Sequence, residues 1–291
     1  MLDEFRTFIA VAEQKSFTQA AKLVNLSQPT VSSQIKRLEA HFGATLIDRS
    51  DKAKEISLTE NGTLVYRLAR QILSALEQTE AAIAAEEGAD GISLKIGASL
   101  TVGNYYLPSI ISRFTAKYRH VRLEISINNT ADICRLLHAG RLDIGLIEGK
   151  QSYYAFKRVN FSSDHMLLVG SRELGEAANM DAKALREQVW ITREQGSGTY
   201  EYMRQYLAEN QIVPKDTVTF SSNYAIKEAL LNNVGITLIS EYVVADELKS
   251  GAIIRLPMQR EIIRDYSYLI REGQPVSPAL ADFIHLLESN G

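Results

Sequence analysis

The chain is poor in cysteine: Cys134 is the only one in 291 residues. A single thiol excludes an internal disulfide framework and fits a reducing compartment. Long apolar runs are lacking too, since no stretch approaches the roughly 20 residues needed to cross a bilayer. The start, MLDEFRTFIAVAEQKSF, carries Asp3 and Glu4 and no long apolar core, so it does not read as an export signal. A soluble, cytoplasmic protein with no membrane partner is expected. An overall excess of positive charge is also missing: the net charge is -3 and the pI is near 6.0. That balance argues against a surface coated in positive charge but leaves room for a local basic patch. No nucleophile–base–acid set, no P-loop and no metal-like spacing of His120, His138 and His165 is found. No catalytic residue, metal or cofactor is therefore expected. What the chain does have is apolar material, 45% of its residues, enough for packed cores. Its length fits two or three domains at roughly 100–200 residues each.

The stretch LSQPTVSSQIKRLEAHFG, residues 26–43, sets the first problem. Val31, Ile35, Leu38 and Phe42 recur at helical spacing, while Gln28, Thr30, Ser32, Ser33 and Lys36 occupy the opposite face. Ser27 is a suitable N-cap, Pro29 falls in the first turn where its missing N–H matters little, and Gly43 ends the helix. Upstream, Phe5, Phe8, Ile9 and Ala12 predict a first amphipathic helix. FTQAAKLVNL predicts a short second one, with Thr18 as its cap and Ala20, Ala21, Leu23 and Val24 turned inward. Helix, tight turn, helix is the helix-turn-helix arrangement. Short amide and hydroxyl side chains at a helix N-terminus suit base edges and phosphates in the major groove. Between residues 15 and 54, seven basic residues face three acidic ones, a local charge of +4 in an acidic protein. A plain three-helix packing unit with a solvated polar face fits the spacing equally well. Residues 44–58, ATLIDRSDKAKEISL, tip the balance, because they read as two short strands around a charged turn. That is a wing lying along a nucleic-acid backbone, with Arg49 and Lys52 as phosphate contacts.

These residues resemble the winged helix-turn-helix of LysR-type transcriptional regulators. The match rests on F-x-x-V-A-E-x-x-S-F-T-x-A-A, L-S-Q-P-T-V-S, I-K-x-L-E, and L-T-E-N-G at Leu58–Gly62. The family often has Arg where Ser33 stands and Phe where Ile47 stands. The resemblance implies a double-stranded promoter DNA partner, read by Thr18, Ser27, Gln28, Pro29, Thr30, Ser32, Ser33, Lys36, Arg49 and Lys52. It also implies homodimers or homotetramers, a small-molecule effector, RNA polymerase as a partner, and activator or repressor action.

From Thr59 the chain reads TENGTLVYRLARQILSALEQTEAAIAAEEGADG. Thr59 can cap, Glu60 suits the positive end of the dipole, and Val65, Leu68, Ile72, Ala75, Thr79 and Ala82 follow a rough 3.5-residue seam. A coiled-coil dimer arm and a long helix folded on its own domain both fit. In the family this segment is the linker and dimerisation helix, and Gly88 and Gly91 mark its end.

Beyond Gly91 short β-rich runs alternate with helical ones. LKIGAS, VRLEISI and LDIGLIEG, then HMLLVGS, VWITR, TVTFSS and GITLIS, predict strands separated by helices, hence a parallel sheet covered on its faces. Chain crossings near Phe161–His165 and Arg264–Tyr268 imply a hinged pair of subdomains with a ligand crevice at the strand ends. This half resembles the LysR effector domain, which is similar to periplasmic solute-binding proteins. The expected organisation is therefore a winged helix-turn-helix domain over 1–58, a linker helix over 59–90 and a periplasmic-binding-protein-like α/β effector domain over 91–291. Within the last, subdomain I spans about 91–162 and 267–291, and subdomain II about 163–266.

Crevice candidates follow from position. Ser99, Leu100 and Thr101 come after LKIGA, before a helix expected to begin near Asn104. Gly196, Ser197, Gly198 and Thr199 make a strand-to-helix turn where glycines admit close backbone approach. Facing sites of this kind clamp a small anion. Asn129 and Thr130, and Ser222 and Asn223, hold equivalent rim positions, and Glu148 ends LDIGLIEG as a carboxylate suited to a cationic group or a local salt bridge. Helix capping alone equally explains Ser197, Thr199 or Asn223. The resemblance favours the crevice, since family effectors commonly contact the matching loops. Cys134 has no second cysteine to resolve a sulphenic acid, so it reads as a small buried hydrophobe. LDIGLIEG, WITREQGSGT and SSNYAIKEALLNN look closest to the family's subgroup that includes regulators of sulphite-reduction and carbon-fixation operons. An enzyme and a pure solute-binding protein are the competing classes. The first lacks a catalytic set, and the second has a DNA-binding unit where its export signal belongs.

Overall fold

The computed structural model describes residues 1–48, 56–86, 93–118, 121–149, 156–176, 182–274 and 276–289. The chain divides into two compact units, Met1–Ile92 with His138–Arg141, and Ser93–Leu137 with Leu142–Gly291.

The first unit begins with α1 (Leu2–Gln14), α2 (Phe17–Leu23) and α3 (Gln28–Phe42). Ser27 caps α3 as expected, accepting the Thr30 N–H at 3.3 Å, and Gly43 closes it at φ 61°. The cap of α2 is Ser16, not Thr18: its hydroxyl accepts from the Gln19 N–H, and Thr18 lies inside the first turn. Leu23 is 58% exposed rather than inward, because α2 is too short to bury more than the alanine face, Ala20 and Ala21. Val31, Ile35 and Leu38 are buried at 0–1% against Phe5, Phe8 and Val11. Burial of each such side chain stabilises by about 1.5–3 kcal/mol. One buried polar pair crosses this core, the Thr7 hydroxyl donating to the Gln34 side-chain carbonyl.

The wing's two strands, β1 (Ile47–Asp48) and β2 (Ser57–Leu58), pair antiparallel. Glu39 positions them, its Oε1 accepting the Leu46 N–H at 2.9 Å and the Ile47 N–H at 3.3 Å. Helix α4 (Glu60–Glu86) follows, with the Thr59 hydroxyl accepting the Gly62 N–H at 2.9 Å. Gly62 is obligatory, because a Cβ there would lie 1.9 Å from the Leu46 carbonyl oxygen. Val65 and Ala69 of α4 are buried against the three-helix core, with Ile72 and Leu73 beside them. The expected seam is thus divided. Val65 and Ile72 serve the helix's own domain, whereas Leu68 is 42% exposed.

The second unit runs β3 (Ser93–Ser99), a π-helical turn Val102–Tyr106 continuing as α5 (Leu107–Lys117), β4 (Arg122–Asn128), α6 (Thr130–His138) and β5 (Ile144–Glu148). The long strand β6 (Phe156–Ser171) leads to α7 (Arg172–Glu176), α8 (Ala182–Glu187), β7 (Val189–Arg193), α9 (Gly198–Glu209), β8 (Asp216–Phe220) and α10 (Asn223–Leu231). Then come β9 (Ile236–Ser240), α11 (Glu241–Ser250), β10 (Ile253–Arg255), β11 (Ile262–Arg271) and α12 (Pro278–Glu288). The strand order is β4-β3-β5-β11-β6-β9-β7-β8, with β10 on β6.

The sheet is mixed rather than parallel. β3 pairs parallel with β4 and β5, and β7 parallel with β8 and β9, but β6 and β11 run antiparallel to each other and to the strands beside them. β6 and β11 therefore belong to both parallel halves and stitch them together, with a register shift between Tyr266 and Ser267. Separate cores lie on the two halves, one around Ile133, Leu137 and Leu269, the other around Trp190, Met203 and Leu238.

Candidate functional site

Two polar surfaces stand out. On the first unit, Thr18, Ser27, Gln28, Pro29, Thr30, Ser33 and Lys36 are exposed and Ser32 is half-buried. Those on α3 lie outside its buried stripe of Val31, Gln34, Ile35 and Leu38, with Thr18 on α2 and the cap Ser27 beside them. The Thr18 hydroxyl donates to Gln28 Oε1 at 3.3 Å, and the Ser27 and Thr30 hydroxyls lie 2.7 Å apart. Gln28 is exposed and its carbonyl oxygen is engaged by Thr18, which leaves its amide as a donor group. Arg49 and Lys52 lie outside the described residues.

On the second unit the expected crevice residues converge. Ser99, Thr101, Thr130, Glu148, Ser197, Thr199 and Asn223 are buried at 0–3%. Leu100, Asn129, Gly196 and Ser222 are half-buried beside them. Leu100 and Thr101 are already helical, so the helix expected near Asn104 begins earlier and Ser99 is its last extended residue. Ser222 caps α10 through the Ala225 N–H. Asn223 does not cap: its carbonyl oxygen accepts from Arg193 at 2.6 Å and its amide donates to Thr101 at 3.3 Å. Ser197 precedes α9 without a side-chain capping bond, and its buried hydroxyl has no partner among the described residues. The turn is held by the Ala131 N–H donating to the Gly196 carbonyl at 3.1 Å.

Glu148 sits at the centre. Its carboxylate accepts from the Ser99 hydroxyl and its backbone carbonyl from the Thr130 hydroxyl at 3.2 Å. Gly198 packs directly on it: a Cβ there would approach the Glu148 carbonyl oxygen to 2.5 Å. Burial pushes the Glu148 carboxyl above the usual carboxylate range, against the opposing pull of Arg264 and Arg193.

Sequence reading missed the groups behind these. Arg264, fully buried on β11, reaches Thr199 at 3.0 Å, Glu148 at 3.8 Å and Asp164 of the neighbouring strand. Asp164 also accepts from the Tyr266 hydroxyl at 2.9 Å. Burial works against the Arg264 charge, yet Glu148 and Asp164 hold it ionised. Arg193, 1% exposed at the end of β7, forks onto Glu194 at 2.8 and 2.9 Å. Glu194 in turn accepts from the Asn129 amide at 3.2 Å. A signal existed: Arg193 closes the apolar run VWIT and Arg264 falls inside IIRDYSYLIR, and a charge in a buried strand needs a buried partner. Cys134 is buried as expected, and among the described residues no cluster fit to hold a metal is found and no helix is long and apolar enough to cross a membrane.

Two family profiles match the chain, "Bacterial regulatory helix-turn-helix protein, lysR family" over residues 2–63 and "LysR substrate binding domain" over residues 88–291. The HTH-type transcriptional regulator CysL of Bacillus subtilis is 34% identical over 291 residues, covering 99% of this chain and 97% of its own. The RuBisCO operon transcriptional regulator of Allochromatium vinosum is 28% identical, covering 97% and 93%. ArgP from Mycobacterium tuberculosis, solved by crystallography, superposes with a TM-score of 0.77 at 19% identity over 98% of this chain and 95% of that one.

Proposed function

The chain belongs to the LysR family of DNA-binding transcriptional regulators, with a helix-turn-helix domain and an effector-binding domain rather than an enzyme's active site, and on that premise we propose which residues read DNA and what the crevice senses. Residues 1–58 bind promoter DNA, 59–90 link and dimerise, and 91–291 receive the effector. The α3 N-terminus enters the major groove. There Gln28 reads a base edge, Thr18, Ser27, Pro29, Thr30, Ser32 and Ser33 contact bases and backbone, and Lys36, Arg49 and Lys52 contact phosphates. The carrying observation is the exposed polar flank of α3 opposite a stripe buried at 0–1%.

Fluorescence anisotropy with labelled DNA from upstream of the regulator's own gene tests this reading. Gln28→Ala is expected to weaken binding by about 1–3 kcal/mol, and Lys36→Ala to lower the salt slope by about 1. A folded Gln28→Ala protein that binds as tightly as the wild type overturns the assignment, and loss of folding makes Gln28 structural.

The effector is a small anion held between Ser99, Leu100, Thr101, Asn129 and Thr130 on one side and Gly196, Ser197, Gly198, Thr199, Ser222 and Asn223 on the other, with Glu148 beneath. Buried hydroxyls and the positive end of the 12-residue helix α9 support this reading. Binding favours one arrangement of the two subdomains over another, and that difference shifts how dimers or tetramers bind and bend the promoter and meet RNA polymerase in the cytoplasm.

A further inference from the structure

Glu148 is out of place in a site built only for negative charge. The two buried guanidinium groups of the crevice already have carboxylate partners, Arg193 with Glu194 and Arg264 with Asp164. Glu148, 1% exposed and 3.8 Å from Arg264, is the surplus acid. Donors surround it: the Ser99 hydroxyl points at it, and the first turn of α9 packs on it at Gly198. Two further donors, Ser197 Oγ and Arg264 Nε, are buried without a partner among the described residues. Asp164 Oδ1, beside the Oδ2 that takes Arg264, is a buried acceptor without a partner among the described residues. The seat therefore combines spare donors with one surplus acid.

We propose that Glu148 makes the crevice selective for small oxyanions that carry an O–H of their own. This rests on the anionic reading of the crevice and narrows it. The hydroxyl of the bound anion donates to the Glu148 carboxylate, while its other oxygens take the α9 amides, the Ser197 hydroxyl and the Arg264 guanidinium. An O–H turned toward a buried carboxylate makes a charge-assisted hydrogen bond. An oxyanion without a proton brings lone pairs and negative charge against that same carboxylate, a repulsion that low local dielectric amplifies. The glycine at position 198 keeps the acid seated, because any larger residue would push on Glu148.

The test is calorimetric titration of the full chain with sodium phosphate, which keeps a proton at pH 7, and with sodium sulfate, which keeps none, at matched ionic strength. Wild-type protein is expected to prefer phosphate by at least about 100-fold, as sites that pair a ligand hydroxyl reject analogues lacking it. In Glu148→Gln, whose amide can donate as well as accept, the preference is expected to fall to within about tenfold, chiefly through gained sulfate affinity. Ser197→Ala is expected to weaken phosphate binding with the preference retained. The emission of Trp190 confirms that each variant is folded. If the wild type takes sulfate as well as phosphate, or Glu148→Gln leaves the preference unchanged, the anion reading stands and the role of Glu148 falls. If neither anion binds to the wild type or to either variant, both fall.

Discussion

Replacing Arg264 by Met gives a quantitative test of the charge network. The guanidinium is fully buried and serves Thr199 at 3.0 Å, Asp164, and Glu148 at 3.8 Å. Met fills similar space but leaves two buried carboxylates without their shared cation. Asp164 keeps the Tyr266 hydroxyl at 2.9 Å and Glu148 keeps Ser99, so the loss is partial. Breaking a buried pair from one side costs about 3–5 kcal/mol. The chain has one tryptophan, Trp190, with no exposed surface on β7, so urea unfolding followed by its emission reports on the effector-domain unit alone. With a slope of about 2–3 kcal/mol per molar urea, the midpoint at pH 7 should fall by roughly 1–2 M. Acidification supplies the second arm. Glu148 already sits above its ordinary value because burial raises it by more than Arg264 and Arg193 pull it down. Removing Arg264 raises it further. A group raised in the folded state contributes stability below the unfolded value, near 4.5, and loses it as pH rises through the folded value. The variant's deficit should therefore narrow as the pH is lowered toward about 4.5 and widen toward neutrality. A midpoint shift below roughly 0.3 M, or a deficit independent of pH, would refute the assignment of Arg264 as shared counter-ion.

Two further outcomes follow from the first unit. Gly62→Ala forces α4 away from Leu46, where only 1.9 Å is available, and should abolish DNA binding with a lowered first melting transition by calorimetry, while Trp190 emission stays native. Thr7→Val leaves the buried Gln34 carbonyl without its donor and should destabilise that same transition by about 1–3 kcal/mol, whereas Thr7→Ser should retain most of the stability.

The recognition helix was readable because several signals coincide over residues 27–43: a cap, a proline in the first turn, a four-three-four apolar stripe and a glycine stop. The α/β alternation was equally plain. Strand direction was not, because a period of two is the same whichever way a strand runs. The first half of β6, FKRVNFSSD, carries polar residues on both faces and is not among the expected strands, yet it pairs along its length with β11. The short elements α7, α8 and β10 span six residues or fewer and offer too few positions for a period to register. Among the candidate crevice residues, the positions of Ser99, Thr101, Thr130, Ser197, Thr199 and Asn223 were legible because strand ends and helix starts are fixed by local chemistry. Arg193, Arg264 and Asp164 meet only through cross-strand register, which a linear chain does not display: the Arg264 and Asp164 Cα positions are direct partners across β11 and β6.

Under the proposed function, that register gives a route by which an occupied crevice would drive a change elsewhere. Arg264 and Asp164 lie on the two strands shared by both halves of the sheet, while their partners Glu148 and Thr199 belong to opposite halves. The buried, partner-lacking Ser197 Oγ and Arg264 Nε each carry a penalty of about 1–3 kcal/mol that opening to water would relieve. A ligand that supplies both partners removes the penalty only when the halves are together, a differential of roughly 2–6 kcal/mol. Moving a two-state equilibrium from 1:99 to 99:1 takes about 5.5 kcal/mol. Two well-placed hydrogen bonds thus reach that threshold only at their strongest, and either one alone gives a graded response. On the proposed function, the strength of the switch would depend on how many orphaned donors one small ligand satisfies at once, which would tie effector size and oxygen count to regulatory output.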